Sequence, residues 1–160
     1  MIVENHQITY RNVASKYYNF LPEEIELAFA DFDETLEKLG FQVEDTLFFA
    51  IMSDPTAQVM TAEIFRPIEE DNFSTMPRSE DIRFRSYFSV NGLIMTRIKD
   101  QFDEQSQAKF WELVEYIQTR EFVQSSPVFV EFKRSHTGVA YVEMSVGVTE
   151  GLGSPTLIST

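Results

Sequence analysis

The sequence has no cysteine, only two histidines, and six each of glycine and proline. Without cysteine there are no disulfides, no zinc–thiolate centres and no thiol nucleophiles, which fits a reducing, cytoplasmic setting. His6 and His136 have no partners at metal-ligand or triad spacing, so the sequence offers neither a metal site nor a catalytic triad. There is no glycine-rich phosphate loop and no nucleophile elbow. No apolar run approaches the ~18 residues that a membrane helix needs. The opening "MIVENHQITY" has neither the basic start nor the apolar stretch of a signal peptide. Positive charge is scarce: 13 Lys/Arg stand against 26 Asp/Glu, a net charge of −13. Such a surface repels phosphate backbones and argues against a nucleic-acid partner.

What is present in excess is aromatic. Phe, Trp and Tyr make up 14% of the 160 residues, with 15 Phe. Aromatic side chains suit strands and line ligand pockets. The acidity is uneven. Residues 1–80 hold 5 Lys/Arg and 16 Asp/Glu, while residues 81–160 hold 8 and 10.

The chain is written twice. Shifted by 81 residues, "NVASKYYNFLPEE" falls on "LIMTRIKDQFDEQ", so that Val13 meets Ile94, Ser15 meets Thr96 and Lys16 meets Arg97. Phe29 then meets Phe110, Leu36 meets Ile117, and "TLFFA" meets "PVFVE". One residue is dropped in the next turn, after which Glu63 meets Glu143. Each half begins extended, over residues 2–9 and 82–90. A break at Arg11-Asn12 or at the turn-like Asn91-Gly92 precedes a second extended piece. A helix follows. In the first half Pro22, Glu23 and Glu24 open it, Ile25, Phe29, Phe32, Leu36 and Leu39 form its apolar stripe, and Gly40 ends it. In the second half Asp103 is the expected N-cap, with Phe110, Leu113, Val114 and Ile117 as the stripe. Two strands close each half, near 45–52 and 59–67 and near 127–134 and 139–148. The reading is α+β: duplicated β-α-β-β halves related by a pseudo-twofold axis, forming one antiparallel sheet with two main helices. The boundaries are a single domain over 1–149, with halves of about 1–70 and 82–149, a linker at 71–81 and a flexible tail at 150–160.

Three stretches resemble the GyrI-like, SOUL-related effector-binding domain: "VASKYYNFLPEEIELAFADFDETLEKLGF", "FFAIMSDPT" and "TAEIFRPI". Together with their duplication they cover about residues 2–149. The resemblance implies a ligand groove between the halves, flanked by the helices. In multidrug-sensing members a buried glutamate of the last strand faces lipophilic cations, which places Glu63 in that role and Glu143 as its repeat partner. The second half departs from the pattern, ending "MSVGV" where the first ends "FRPI". The resemblance extends to stand-alone proteins of unknown function, some of which lie beside type VII secretion toxins of the LXG class, and some GyrI-like proteins are hydrolases using a Glu and a Tyr.

Strand alternation frames the two glutamates. Val142, Met144, Val146 and Val148 share one face, and Tyr141, Glu143, Ser145 and Gly147 the other. Ala62, Ile64, Arg66 and Ile68 oppose Thr61, Glu63, Phe65 and Pro67. Two readings stay open. The carboxylates face solvent or pair with Arg66, Arg97 or Lys16; or they line a groove whose aromatic walls come from Tyr17, Tyr18, Phe48, Phe65, Tyr87, Trp111 and Tyr141. The expected function is non-catalytic binding of an amphipathic or cationic small molecule, with no cofactor. The alternative is docking of a basic protein partner through the acidic first half.

Overall fold

The computed structural model describes residues 1–54, 57–71 and 81–151. The expected linker and tail lie largely outside them, as do Pro55 and Thr56 of the first half's turn. Among the described residues there are six strands, β1 (Ile2–Phe20), β2 (Leu47–Ile51), β3 (Met60–Pro67), β4 (Arg83–Ile98), β5 (Phe122–Arg134) and β6 (Ala140–Glu150). Two α-helices join them, α1 (Ile25–Lys38) after a 3-10 turn at Pro22–Glu24, and α2 (Phe102–Thr119). All pairings are antiparallel, and the ring closes in the order β1-β3-β2-β5-β6-β4. The fold is α+β with duplicated halves, and the sheet is a closed barrel.

The breaks expected at Arg11-Asn12 and Asn91-Gly92 are not turns, and β1 and β4 run straight through them. Asn12 at φ 55° and Gly92 at φ 70° bend the strands instead. A left-handed residue inside a strand is a bulge-like kink that resets the side-chain alternation. In β1 the side chains of one buried cluster, Ile8 and Tyr10, are even-numbered before the kink, and Val13 is odd-numbered after it. In β4 the change runs from Phe88 and Val90 to Leu93.

The kinks also fix the repeat register. Val13 pairs with Pro67 as Leu93 pairs with Gly147, and Tyr17 pairs with Glu63 as Arg97 pairs with Glu143. Val13 is thus equivalent to Leu93, Ser15 to Met95 and Lys16 to Thr96, one position off the 81-residue alignment in this segment.

Each strand face has its own cover. One set of side chains, including Ala14, Phe49, Ile64, Ile94, Val130, Val142 and Met144, packs with Phe32 and Leu36 of α1 and Leu113 of α2. Arg66 belongs to this set and donates two hydrogen bonds to Asp33 of α1, at 2.7 and 2.8 Å. α1 ends as its stripe and glycine foretold: Gly40, at φ 88°, donates to Glu37 and Phe41 donates to Leu36. α2 starts earlier than expected, with Gln101 rather than Asp103 at the cap position.

The other set faces inward. β1 and β5 stand three places apart in the ring, so hydrogen bonds from His6 and Tyr10 to Glu131 cross the barrel interior. Phe48, Phe65, Phe129, Ile8, Val13 and Leu93 form the apolar part of that interior.

Candidate functional site

Among the described residues the interior holds two charged clusters. In the first, Glu63 of β3 is 5% exposed. A carboxylate so buried must neutralise or find partners. Ser15 Oγ donates to its Oε2 at 2.7 Å, and Arg85 of β4 donates to the same oxygen at 3.1 Å. The Arg85 guanidinium lies over the rings of Phe65 and Phe88, 5.5 and 5.8 Å from their centroids. Those rings continue a stack: Phe48 sits 4.5 Å from Phe65 and 4.6 Å from Tyr10, and Phe88 lies 4.9 Å from Phe65.

In the second cluster, Glu131 of β5 and Glu143 of β6 are directly opposed across the ladder, 1% and 2% exposed. Like charges in that relation repel, and cations reach in to offset it. Lys133 Nζ lies 2.7 Å from Glu143 Oε1 and 3.6 Å from Glu131 Oε2. Arg97 donates to Glu143 Oε2 through both Nε and an end nitrogen, at 3.1 and 2.6 Å. From across the barrel His6 Nε2 comes within 3.2 Å of Glu131 Oε1 and 4.0 Å of Glu143 Oε1. Tyr10 donates its hydroxyl to Glu131 Oε2 at 2.7 Å.

The electrostatics follow from these contacts. Burial alone would raise the Glu143 pKa, but the hydrogen bonds and charges of Lys133 and Arg97 outweigh it and hold the carboxyl below its ordinary value. Burial alone would lower Lys133, yet its hydrogen bond to Glu143 and the charges of Glu131 and Glu143 raise it. Burial pushes the Tyr10 phenol up, and the charge and hydrogen bond of Glu131 push it further, so it remains a donor.

The two repeat glutamates therefore sit at equivalent inward positions, each paired with an arginine of β4. Glu143 does not face solvent, because barrel closure turns the face opposite the helices into an interior. The clusters differ at two neighbours. Tyr17 opposes Glu63 where Arg97 opposes Glu143, and Ala50 opposes Glu63 where Glu131 opposes Glu143.

The remaining expected wall residues scatter. Phe48 and Phe65 lie in the interior beside the first cluster. Tyr141 sits under the Arg97 guanidinium at 5.0 Å, beside the second. Tyr17 is exposed beneath Arg83. Tyr18 faces α1, against Phe32 and with its hydroxyl on Asp31, so it is not on the Glu63 face. Tyr87 is exposed, and Trp111 is 52% exposed on α2, edge-on to Phe110.

Sequence reasoning missed Arg85, Glu131, Lys133, His6 and Tyr10 as members of one interior. Glu131 was detectable by the alternation that exposed Glu63, since Phe129, Glu131 and Lys133 share a face. His6 and Tyr10 were hidden by the phase change at Asn12.

Residues 9–150 match the family model described as Domain of unknown function (DUF5085). The chain belongs to that family. No curated protein matches it. Solved structures that share the fold of this DUF5085 chain include two of EcmrR. One is the cryo-EM structure of the EcmrR–DNA complex in EcmrR-RPo, with a TM-score of 0.71 and 12% identity, covering 94% of this chain and 57% of that one. The other is the crystal structure of the EcmrR C-terminal domain, with a TM-score of 0.66 and 11% identity, covering 94% and 98%. The chain thus spans little more than half of the EcmrR chain in the DNA complex, and nearly all of its C-terminal domain. Among the described residues no helix is long and apolar enough to cross a membrane.

Proposed function

We propose that this domain is a non-catalytic, GyrI-like binding module for an amphipathic small molecule, taken up at the aromatic part of the barrel interior beside Glu63. The observation that carries the reading is a buried carboxylate–arginine pair set against stacked rings: Glu63 and Arg85 beside Phe65, Phe88, Phe48 and Tyr10. The rings give an apolar body its contact area, and the pair gives a polar head a partner of either sign. Arg85 already neutralises Glu63, so a purely cationic ligand would have to displace it. A head group carrying both a donor and an acceptor suits the pair better. Phe48 and Phe65 fill the centre, so binding requires the half-buried Tyr10 and Phe88 to swing aside. The shared fold with the EcmrR C-terminal domain, part of a chain seen in complex with DNA, is in keeping with an effector-type role.

The test is a thermal-shift screen of wild type, Glu63→Gln and Phe88→Ala against lipophilic cations, zwitterionic amphiphiles and short basic peptides. A ligand that binds only the folded state raises the melting temperature. The reading expects an amphiphile whose shift, measured from each variant's own baseline, is lost in both variants. A shift that survives both substitutions, or none with any amphiphile, removes it.

One observation favours protein docking as a second reading. Glu23, Glu24, Glu26 and Leu27 are all exposed at the start of α1, an acidic edge around an apolar side chain that fits a basic amphipathic segment. Capture of a basic peptide by this edge should weaken with salt and with Gln at the three acids. Capture indifferent to both excludes it.

A further inference from the structure

We propose that the second interior cluster is a binding site for one divalent metal ion of the Zn2+ or Mn2+ kind, held by His6 Nε2 and one carboxylate oxygen each of Glu131 and Glu143. These three atoms lie within 4.8 Å of one another, and small side-chain rotations bring them to the ~2.0–2.2 Å bonds that such an ion makes with imidazole and carboxylate. The ligand set is one nitrogen and two oxygens, which suits a borderline divalent cation. The three side chains come from β1, β5 and β6, so no sequence spacing announces them.

Three further features mark this as a built site. Glu131 and Glu143 are buried and directly opposed, an arrangement that demands positive charge beside them, which Lys133 and Arg97 supply here and a dication can supply in place of the lysine. Tyr10 already fixes Glu131 through its other oxygen, the orienting contact that metal-binding carboxylates have in their outer shell. Ser145, fully buried and two residues along the same inward face from Glu143, makes no hydrogen bond with its hydroxyl among the described residues. A buried hydroxyl without a partner is costly, and a water bound to the ion would supply one.

Lys133 is the competitor. Its ammonium occupies the space between the carboxylates, but its side chain is 30% exposed and long enough to swing outward. An entering dication replaces that single charge, while Arg97 stays on the far oxygen of Glu143. This gives a sign that no purely structural role predicts: deleting the lysine charge tightens metal binding. The first cluster lacks the ligands to do the same, because Ala50 stands where the second carries Glu131. Metal binding needs no amphiphile, although the two sites share Tyr10, which holds Glu131 in one and must swing aside in the other.

The experiment is calorimetric titration of the chelator-treated full chain with Zn2+, repeated with Co2+ to read its visible spectrum. Wild type should bind one ion per chain. His6→Gln and Glu131→Gln should weaken binding at least tenfold, His136→Gln should leave it unchanged, and Lys133→Met should tighten it. Bound Co2+ should show ligand-field bands that disappear in His6→Gln. Circular dichroism checks that each variant folds, and Lys133→Met carries the test if a carboxylate variant does not. The net charge of −13 attracts divalent cations loosely at many acids. Binding that is unchanged by His6→Gln, or not tightened by Lys133→Met, is that loose attraction and overturns the site.

Discussion

At the scale of single residues, the interior charges differ in how well each partner can escape to water. Glu63 is buried, whereas the Arg85 side chain is about a third exposed. Removing the two is therefore not equivalent. Arg85→Met keeps the stem over Phe65 but strands a buried carboxylate with Ser15 as its remaining partner, and should cost about 3 kcal/mol. Glu63→Gln frees an arginine that can turn to solvent, and should cost about 1 kcal/mol. The double variant should recover part of the Arg85→Met loss. Urea denaturation measures all three; equal single losses would mean that the guanidinium is as confined as the carboxylate. On the helix side, the Tyr18 phenol is pushed above its ordinary value of 10.0 by burial, and then by its hydrogen bond to Asp31 and the charge there. The sign follows from linkage. A group raised on folding contributes stability that is whole below its unfolded pKa and is lost as pH climbs past it. Tyr18→Phe should thus be less stable than wild type at pH 8, and the gap should narrow above pH 10. A melting-temperature difference that stays constant from pH 8 to 11 would mean that the phenol does not titrate with unfolding. The glutamates were readable in the sequence as polar breaks in apolar strands. Arg97 was readable as a partner and pairs with Glu143, but Arg85 was not, because it reaches Glu63 across β1 from the other half of the chain.

At the scale of elements, the duplication sets up an internal comparison. Both helices end in a left-handed residue at the same repeat position: Gly40 at φ 88° after α1, and Glu121 at φ 57° after α2. Glycine takes that conformation freely, while a side chain pays roughly 1–2 kcal/mol for it. Gly40→Ala should therefore destabilise by about 1 kcal/mol, and Glu121→Gly should stabilise by up to about 1 kcal/mol, the strain relieved exceeding the entropy glycine adds to the unfolded chain. Thermal melts of the two variants should move in opposite directions; a fall for both would show that the Glu121 side chain makes a contact worth more than its strain. Gly40 was legible as a helix stop because glycine is the residue that signals one. Glu121 carries no such signal. The converse happened at Asn91-Gly92, where residues typical of a tight turn bend a continuous strand. Local chemistry sets the left-handed angle, but the pairing of β4 with both β1 and β6 decides that the chain continues.

At the scale of the whole molecule, the ring order divides into two arcs. β1, β3 and β2 come from the first half, and β5, β6 and β4 from the second. The arcs meet at two seams, β2 with β5 and β1 with β4. The pattern of apolar stripes gave the elements, the duplication and the helix-covered face. It could not give the closure, because closure depends on which edges pair, and both faces of the inward strands then read as mixtures of polar and apolar residues. Closure has a physical consequence. Either half alone would present two unpaired edge strands and open the interior, leaving His6 and Tyr10 without Glu131 and Glu63 without Arg85. We propose on this ground that the halves form one folding unit. Fragments 1–71 and 81–160, produced separately, should show no cooperative thermal transition. Mixed at equal concentration, they should regain one, with a midpoint that rises with concentration because the seams have become intermolecular. The charge imbalance adds a salt dependence. The first fragment is strongly acidic and the second nearly balanced, so cross-seam attraction comes from the buried pairs rather than from long-range fields, and added salt should change the mixed midpoint only slightly. A cooperative melt of fragment 1–71 alone would show instead that β1, β3, β2 and α1 carry a sufficient core, and that the barrel is two docked units.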